Sequence, residues 1–110
     1  MKELSLKIDM TGLKLSGDDK SKTPVELVSI VIQNIVLSWA ASKRGLSESD
    51  RRKFYKIVDL LEKAVEEKLE SIELEDSWWG FLRKCKREGT MMPDKLLRRV
   101  ETLIDDVKDD

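Results

Sequence analysis

The sequence predicts a mainly helical α+β domain, in which a short N-terminal β-hairpin packs on a bundle of about four helices. Residues 4–10 alternate apolar and polar side chains at the period of a half-buried strand. Four later segments repeat apolar residues at three- and four-residue steps, each opening near a capping residue or proline. Leu, Ile, Val and Phe together supply 32 of the 110 residues, well above the roughly 20% below which chains stay disordered. Residues 1–110 read as one domain: a β-ribbon over 1–19, a helical body over 23–106 and a frayed acidic tail over 107–110.

Leu4, Leu6, Ile8 and Met10 alternate with Glu3, Ser5, Lys7 and Asp9, Thr11-Gly12 breaks the pattern, and Leu13 and Leu15 resume it before Gly17-Asp18-Asp19. This spells a hairpin or a bulged ribbon. Two strands alone are marginal in water, so the ribbon must lie on the helical body or join strands of another chain. Thr23, Pro24 and Glu26 form a helix start: a capping hydroxyl, a proline at the first helical position and the reciprocal carboxylate of a capping box. The first helix runs to about Ser42, where Lys43, Arg44 and Gly45 suit its C-terminal end. Val25, Val28, Val31, Ile32, Ile35, Val36 and Trp39 cover most of its circumference, leaving a narrow polar stripe at Glu26, Ser29, Gln33 and Asn34. A helix apolar on most sides is central in its fold or covered by a partner chain.

Ser47 caps a second helix over about 48–70, with Phe54, Ile57, Val58, Leu61, Val65 and Leu69 on one face, and Ile72 and Leu74 follow in a short extended link. A third helix starts near Glu75 or Asp76, carries Trp78, Leu82 and Cys85 on one face and ends at Gly89. A fourth opens at Pro93-Asp94 and carries Leu96, Leu97, Val100, Leu103, Ile104 and Val107. Asp105, Asp106, Asp109 and Asp110 crowd its negative end, which predicts the fraying.

Composition excludes several functions. The net charge is −1, without the basic excess of a whole-protein nucleic-acid footprint. Histidine, the commonest general base and metal ligand, is absent. The single cysteine, Cys85, forms no internal disulfide and no zinc cluster, and a lone thiol fits a reducing compartment. Residues 1–10 lack the apolar run of a signal peptide. The most apolar stretch, 25–41, falls short of the ~20 residues a bilayer needs. These features predict a cytoplasmic, non-enzymatic protein with no cofactor, no metal and no membrane association.

The charges are segmented. Residues 43–56 carry six basic and two acidic residues, 62–76 two and seven, 83–99 seven and two, and 101–110 one and five. Solvated faces pairing across antiparallel helices account for this pattern. A functional alternative is a nucleic-acid surface of Arg83, Lys84, Lys86, Arg87, Lys95, Arg98 and Arg99, with the third and fourth helices as a helix-turn-helix and Lys95, Arg98 and Arg99 reading bases. The apolar face of the fourth helix fits an ordinary bundle equally well.

Trp78-Trp79-Gly80-Phe81 is the aromatic cluster. Neighbours on a helix point about 100° apart, so the two indoles can hardly share one core site. Either Trp78 is buried with Leu82 while Trp79 caps the helix start, or one Trp and Phe81 lie outside as partner anchors, joined by Trp39. Gly80 costs helix propensity and hints at a close neighbour. Glu62, Glu66, Glu70 and Glu73 share a stripe but lack any complement for acid–base or Mg²⁺ chemistry. Cys85 reads as a small buried hydrophobe, and Met91-Met92 as a loop plug.

The order of elements resembles a group of small phage and prophage proteins of unassigned function. Leu4 to Asp19, Thr23 to Val28, Ser47 to Ala64 and Ile72 to Leu82 carry the likeness, which is one of layout over about two-thirds of the chain. The resemblance implies a virus-encoded accessory or assembly protein acting through protein contacts. The apolar excess of the first helix independently predicts a protein partner, with a homo-oligomer as the simplest assembly.

Overall fold

Thr23 opens the first helix as its side chain dictates. In a computed structural model, which describes residues 1–15 and 17–109, Thr23 Oγ1 accepts the Glu26 N–H at 3.2 Å, and the Glu26 carboxylate accepts the Thr23 N–H at 3.4 Å. Both halves of the capping box are therefore made, and helix α1 (Pro24–Ser42) follows. It ends where Arg44 and Gly45 both take positive φ and the Gly45 N–H returns to the Ala40 carbonyl at 2.8 Å. Thr23→Ala should lower unfolding free energy by about 1 kcal/mol in a urea titration, since an orphan backbone donor loses its partner.

Helix α1 is the axis of the fold. Helices α2 (Glu48–Glu67), α3 (Asp76–Glu88) and α4 (Lys95–Asp105) all pack against it. Leu27, Val28, Val31, Ile32, Ile35, Val36 and Trp39 are buried along it. The apolar stretch read as 25–41 and as too short for a bilayer belongs to a 19-residue helix: among the described residues α1 is long and apolar enough to cross a membrane, and 50% of that stretch is buried inside this fold. The sequence placed its polar stripe at Glu26, Ser29, Gln33 and Asn34. Ser29 is instead buried, its hydroxyl accepting the Gln33 side-chain N–H at 3.2 Å, so the two polar groups satisfy each other within the packed region.

The mainly helical α+β class and the four helices stand, with an antiparallel N-terminal strand packed on them. The strand's partners are not local. Strand β1 (Lys2–Ser5) pairs with β2 (Ser71–Leu74), Leu4 opposite Ile72, and on its other edge with β3 (Lys108–Asp109), giving the order β2-β1-β3. The Leu6 N–H extends the ladder to the Glu70 carbonyl at 2.8 Å. Leu13 and Leu15, expected as the return strand, lie outside the sheet and stay half-exposed. Ile72 and Leu74 offer the same alternating pattern on a segment tied to the core by α2 and α3, so pairing there buries Leu4, Leu6, Ile72 and Leu74 together. The chain leaves β1 through a turn in which Asp9 Oδ1 accepts the Thr11 N–H at 2.8 Å and Gly12 takes φ 79°. The Thr11 N–H holds the Asp9 carboxyl below the usual carboxylate range.

The C-terminal segment, expected to fray from 107, carries β3 at Lys108–Asp109. Its backbone occupies the edge of β1 that β2 leaves open, which satisfies polar groups that would otherwise face solvent. Ser16 of the predicted ribbon and Asp110 of the predicted tail lie outside the described residues.

Candidate protein-interaction surface

The most open side of α1 carries Ile30, Asn34, Leu37 and Ala41, with Leu96 and Leu97 of α4 across a cleft from Ile30 and Asn34. The steps of four, three and four keep these residues on one stripe. Ile30 is 38% exposed and Leu37 50% exposed. Gln33 and Ser38 flank them half-buried, so the whole strip is uncharged in a protein whose residues are 39% charged. The α3–α4 link runs alongside: the Ser38 hydroxyl donates to the Thr90 carbonyl at 2.9 Å, and Met91 lines a cleft with Ile30 and Asn34. Met91 lines a small pocket with Ile35, Cys85 and Leu97 but is itself exposed, and Met92 is 86% exposed, so the expected loop plug is not formed. The sequence reading missed Ile30 and Leu37. Their seven-residue separation around Asn34 was the available signal.

The aromatic residues divide differently from the expectation. Trp39 and Phe81, proposed as partner anchors, are both buried and meet edge-to-face with ring centroids 5.9 Å apart. The Trp39 indole N–H donates to Glu88 Oε1 at 3.2 Å. Both are core residues, because α3 turns Phe81, Leu82 and Cys85 toward α1 rather than Trp78. Trp78 is half-buried at the side of an open cleft shared with Arg52, Lys53 and Lys56 of α2. Trp79 is half-buried too: its N–H reaches the Ile104 carbonyl at 3.4 Å, and Lys2 and Arg83 lie over its ring at 5.1 and 5.2 Å. Gly80 has no close neighbour, since a Cβ there would meet nothing within 4 Å. Gly80→Ala should therefore stabilise the protein by about 0.5–1 kcal/mol, read as a rise in denaturant midpoint. Gly89 is the opposite case. A Cβ there would fall 2.7 Å from the Cys85 carbonyl, so the chain ends α3 on a residue without one.

Several of the seven basic residues of the segment 83–99 already have partners within the fold. Arg83 covers Trp79, and Lys84 lies 5.5 Å from the centre of the Trp39 ring. Lys86 pairs with Asp105 at 2.6 Å, Arg87 approaches Glu88 at 3.9 Å, and Arg99 donates to the Asp9 carbonyl. Lys95 and Arg98 are exposed on the N-terminal half of α4. Arg99, one of the three proposed base readers, is half-buried and tied to the turn after β1.

Glu62, Glu66, Glu70 and Glu73 are all exposed, with Glu70 paired to Lys7 at 3.1 Å. Among the described residues no group of three or more acidic, Cys or His side chains could hold a metal ion. Cys85 is fully buried. Burial, reinforced by the negative charge of Asp50, pushes its thiol up to about 12. Above the ordinary thiol range the unfolded chain loses this proton while the folded chain keeps it, so the group lowers stability as pH rises through that window. The thiol should stay inert to an aromatic disulfide reagent at pH 8 and react fully once the chain is unfolded in guanidinium. Rapid labelling of the native protein would contradict the burial. Comparison with protein-family models, curated proteins and solved structures found no match to this chain.

Proposed function

We propose that the protein is a non-enzymatic interaction protein that assembles with a second copy of itself through the exposed strip of α1. The observation that carries this reading is the uncharged strip Ile30–Asn34–Leu37–Ala41 on a central helix otherwise enclosed by its own fold. Such a strip offers its own copy a matching surface. Ile30 and Leu37 are equidistant from the midpoint between Gln33 and Asn34. An antiparallel second α1 therefore sets Ile30 against the partner's Leu37 on both sides of a two-fold axis, the self-complementary geometry of an isologous dimer. The amides of Gln33 and Asn34 then sit near the axis, where a polar residue in an apolar seam fixes register.

Light scattering across micromolar concentrations tests this: a mass rising toward the dimer is expected, and a strict monomer throughout overturns it. The resemblance of the sequence to small phage and prophage proteins motivates extending the proposal to a virus-encoded accessory or assembly protein. The alternative, a nucleic-acid-binding regulator, rests on the basic surface Arg83, Lys84, Lys86, Arg87, Lys95, Arg98 and Arg99, of which all but Lys86 and Arg99 are exposed. It requires affinity for DNA or RNA that falls steeply with salt, and a low-salt gel shift without binding removes it.

A further inference from the structure

A second feature lies at the opening of α1, separate from the exposed strip. The segment after β1, the first turn of α1 and the last turn of α2 enclose an open groove of about 540 Å³, within the range of small-molecule sites. Its apolar wall is Leu6, Ile8, Val25, Val65 and Leu69. Leu6 is fully buried and the other four are partly so. The rim is charged, and its acids are already engaged. Glu70 is held by Lys7 at 3.1 Å, and the Glu26 carboxylate accepts both the N–H and the hydroxyl of Thr23. Lys68 is different. It caps α2 in the left-handed conformation, φ 57°, and the Leu69 N–H closes back on the Ala64 carbonyl at 2.8 Å. This reversal lays Leu69 against the core and leaves the Lys68 ammonium exposed at the groove, with no ion pair among the described residues.

We propose that this groove binds a single-chain amphiphile, its aliphatic body on the apolar wall and an anionic head at Lys68. Burial of the chain supplies the affinity and the uncommitted cation supplies the sign of the head group. The site is independent of the assembly proposed above.

Decanoate, kept below its micellar concentration and titrated into the ¹⁵N-labelled full chain, is the probe, with decanol and decylammonium as controls. Saturable amide shifts are expected at residues 6–8, 23, 25–26 and 65–70. Affinity should grow by up to about fourfold per methylene from octanoate onward until the groove is filled. Decanoate should bind at least about fivefold more tightly than decylammonium. Lys68→Gln should remove that preference while leaving decanol unchanged, and Ile8→Asn should weaken all three probes, thermal melts confirming that both variants fold. Leu37→Glu should leave decanoate binding intact, which separates this site from the α1 strip. Shifts confined to residues 30–41, equal binding of decylammonium, no effect of Lys68→Gln, or no saturable binding each overturn the proposal.

Discussion

Leu4→Ala is expected to cost about 2–5 kcal/mol of folding free energy, the range for a large aliphatic side chain deleted from a packed core. That is a large share of the roughly 5–15 kcal/mol that holds a typical domain together. Leu4 is fully buried in the central strand of the β2-β1-β3 sheet, opposite Ile72 and inside the same apolar cluster as Leu61, Leu74 and Leu82. The helices around it cannot collapse into the gap without moving the sheet, so a cavity remains. Leu13→Ala, by contrast, should cost less than about 1 kcal/mol, because Leu13 is half-exposed and pairs with no strand. Urea denaturation of both variants reads the difference as a fall in midpoint at unchanged slope. The contrast tests the topology itself. If residues 4–15 formed a local ribbon, Leu4 and Leu13 would lie on one small face and their losses would be similar. Equal losses would therefore contradict the pairing of β1 with β2.

What the sequence disclosed and what it concealed follow from the range of the interactions. The start of α1 was legible because Thr23, Pro24 and Glu26 act on one another within a single turn. The extent of α3 and the start of α4 were legible for the same reason: Gly89 and Asp94 are local stop and start signals, and the Asp94 carboxylate accepts the Leu97 N–H at 2.7 Å, whereas Val107, expected on the fourth helix, lies beyond its end at Asp105. The partner of β1 was not, because Leu13-x-Leu15 and Ile72-x-Leu74 present the same alternation and only the packing of α2 and α3 around the second distinguishes them. The rotation of α3 was equally hidden. Trp78 and Phe81 both sit within reach of the face that holds Leu82, and it is the Trp39 ring on α1 that gives Phe81 its inward place. Helix α1 posed the hardest case for the candidate surface. Its apolar residues surround it, so the pattern has no preferred phase, and the side left open is decided by where three other helices stand. The expectation of uncovered apolar surface on α1 agrees with Ile30 and Leu37. In the proposed dimer, the partner role first given to Trp39 and Phe81 falls to those two residues.

Leu37→Glu is expected to weaken self-association at least about a hundredfold, or ~2.7 kcal/mol in dimer free energy. In the two-fold arrangement each dimer would have to desolvate two carboxylates, each facing the partner's Ile30 with no cation on the strip to receive it. The fold itself should change by no more than about 0.5 kcal/mol, because Leu37 is already half in solvent. A variant that loses the dimer mass in sedimentation while keeping its urea midpoint at high dilution meets both requirements. The register has its own test. Cys85 is buried, so an introduced thiol on the strip reports alone. Asn34→Cys lies beside the axis and should form an intermolecular disulfide on mild oxidation. Ala41→Cys lies roughly 22 Å from its symmetry mate at the helical rise per residue, too far to bridge. A parallel pairing would instead bring each position opposite its own copy, so that both variants cross-link. Unchanged association in Leu37→Glu would remove α1 from the interface altogether, whereas a dimer that dissociates as expected but cross-links through residue 41 would keep the surface and reverse the orientation.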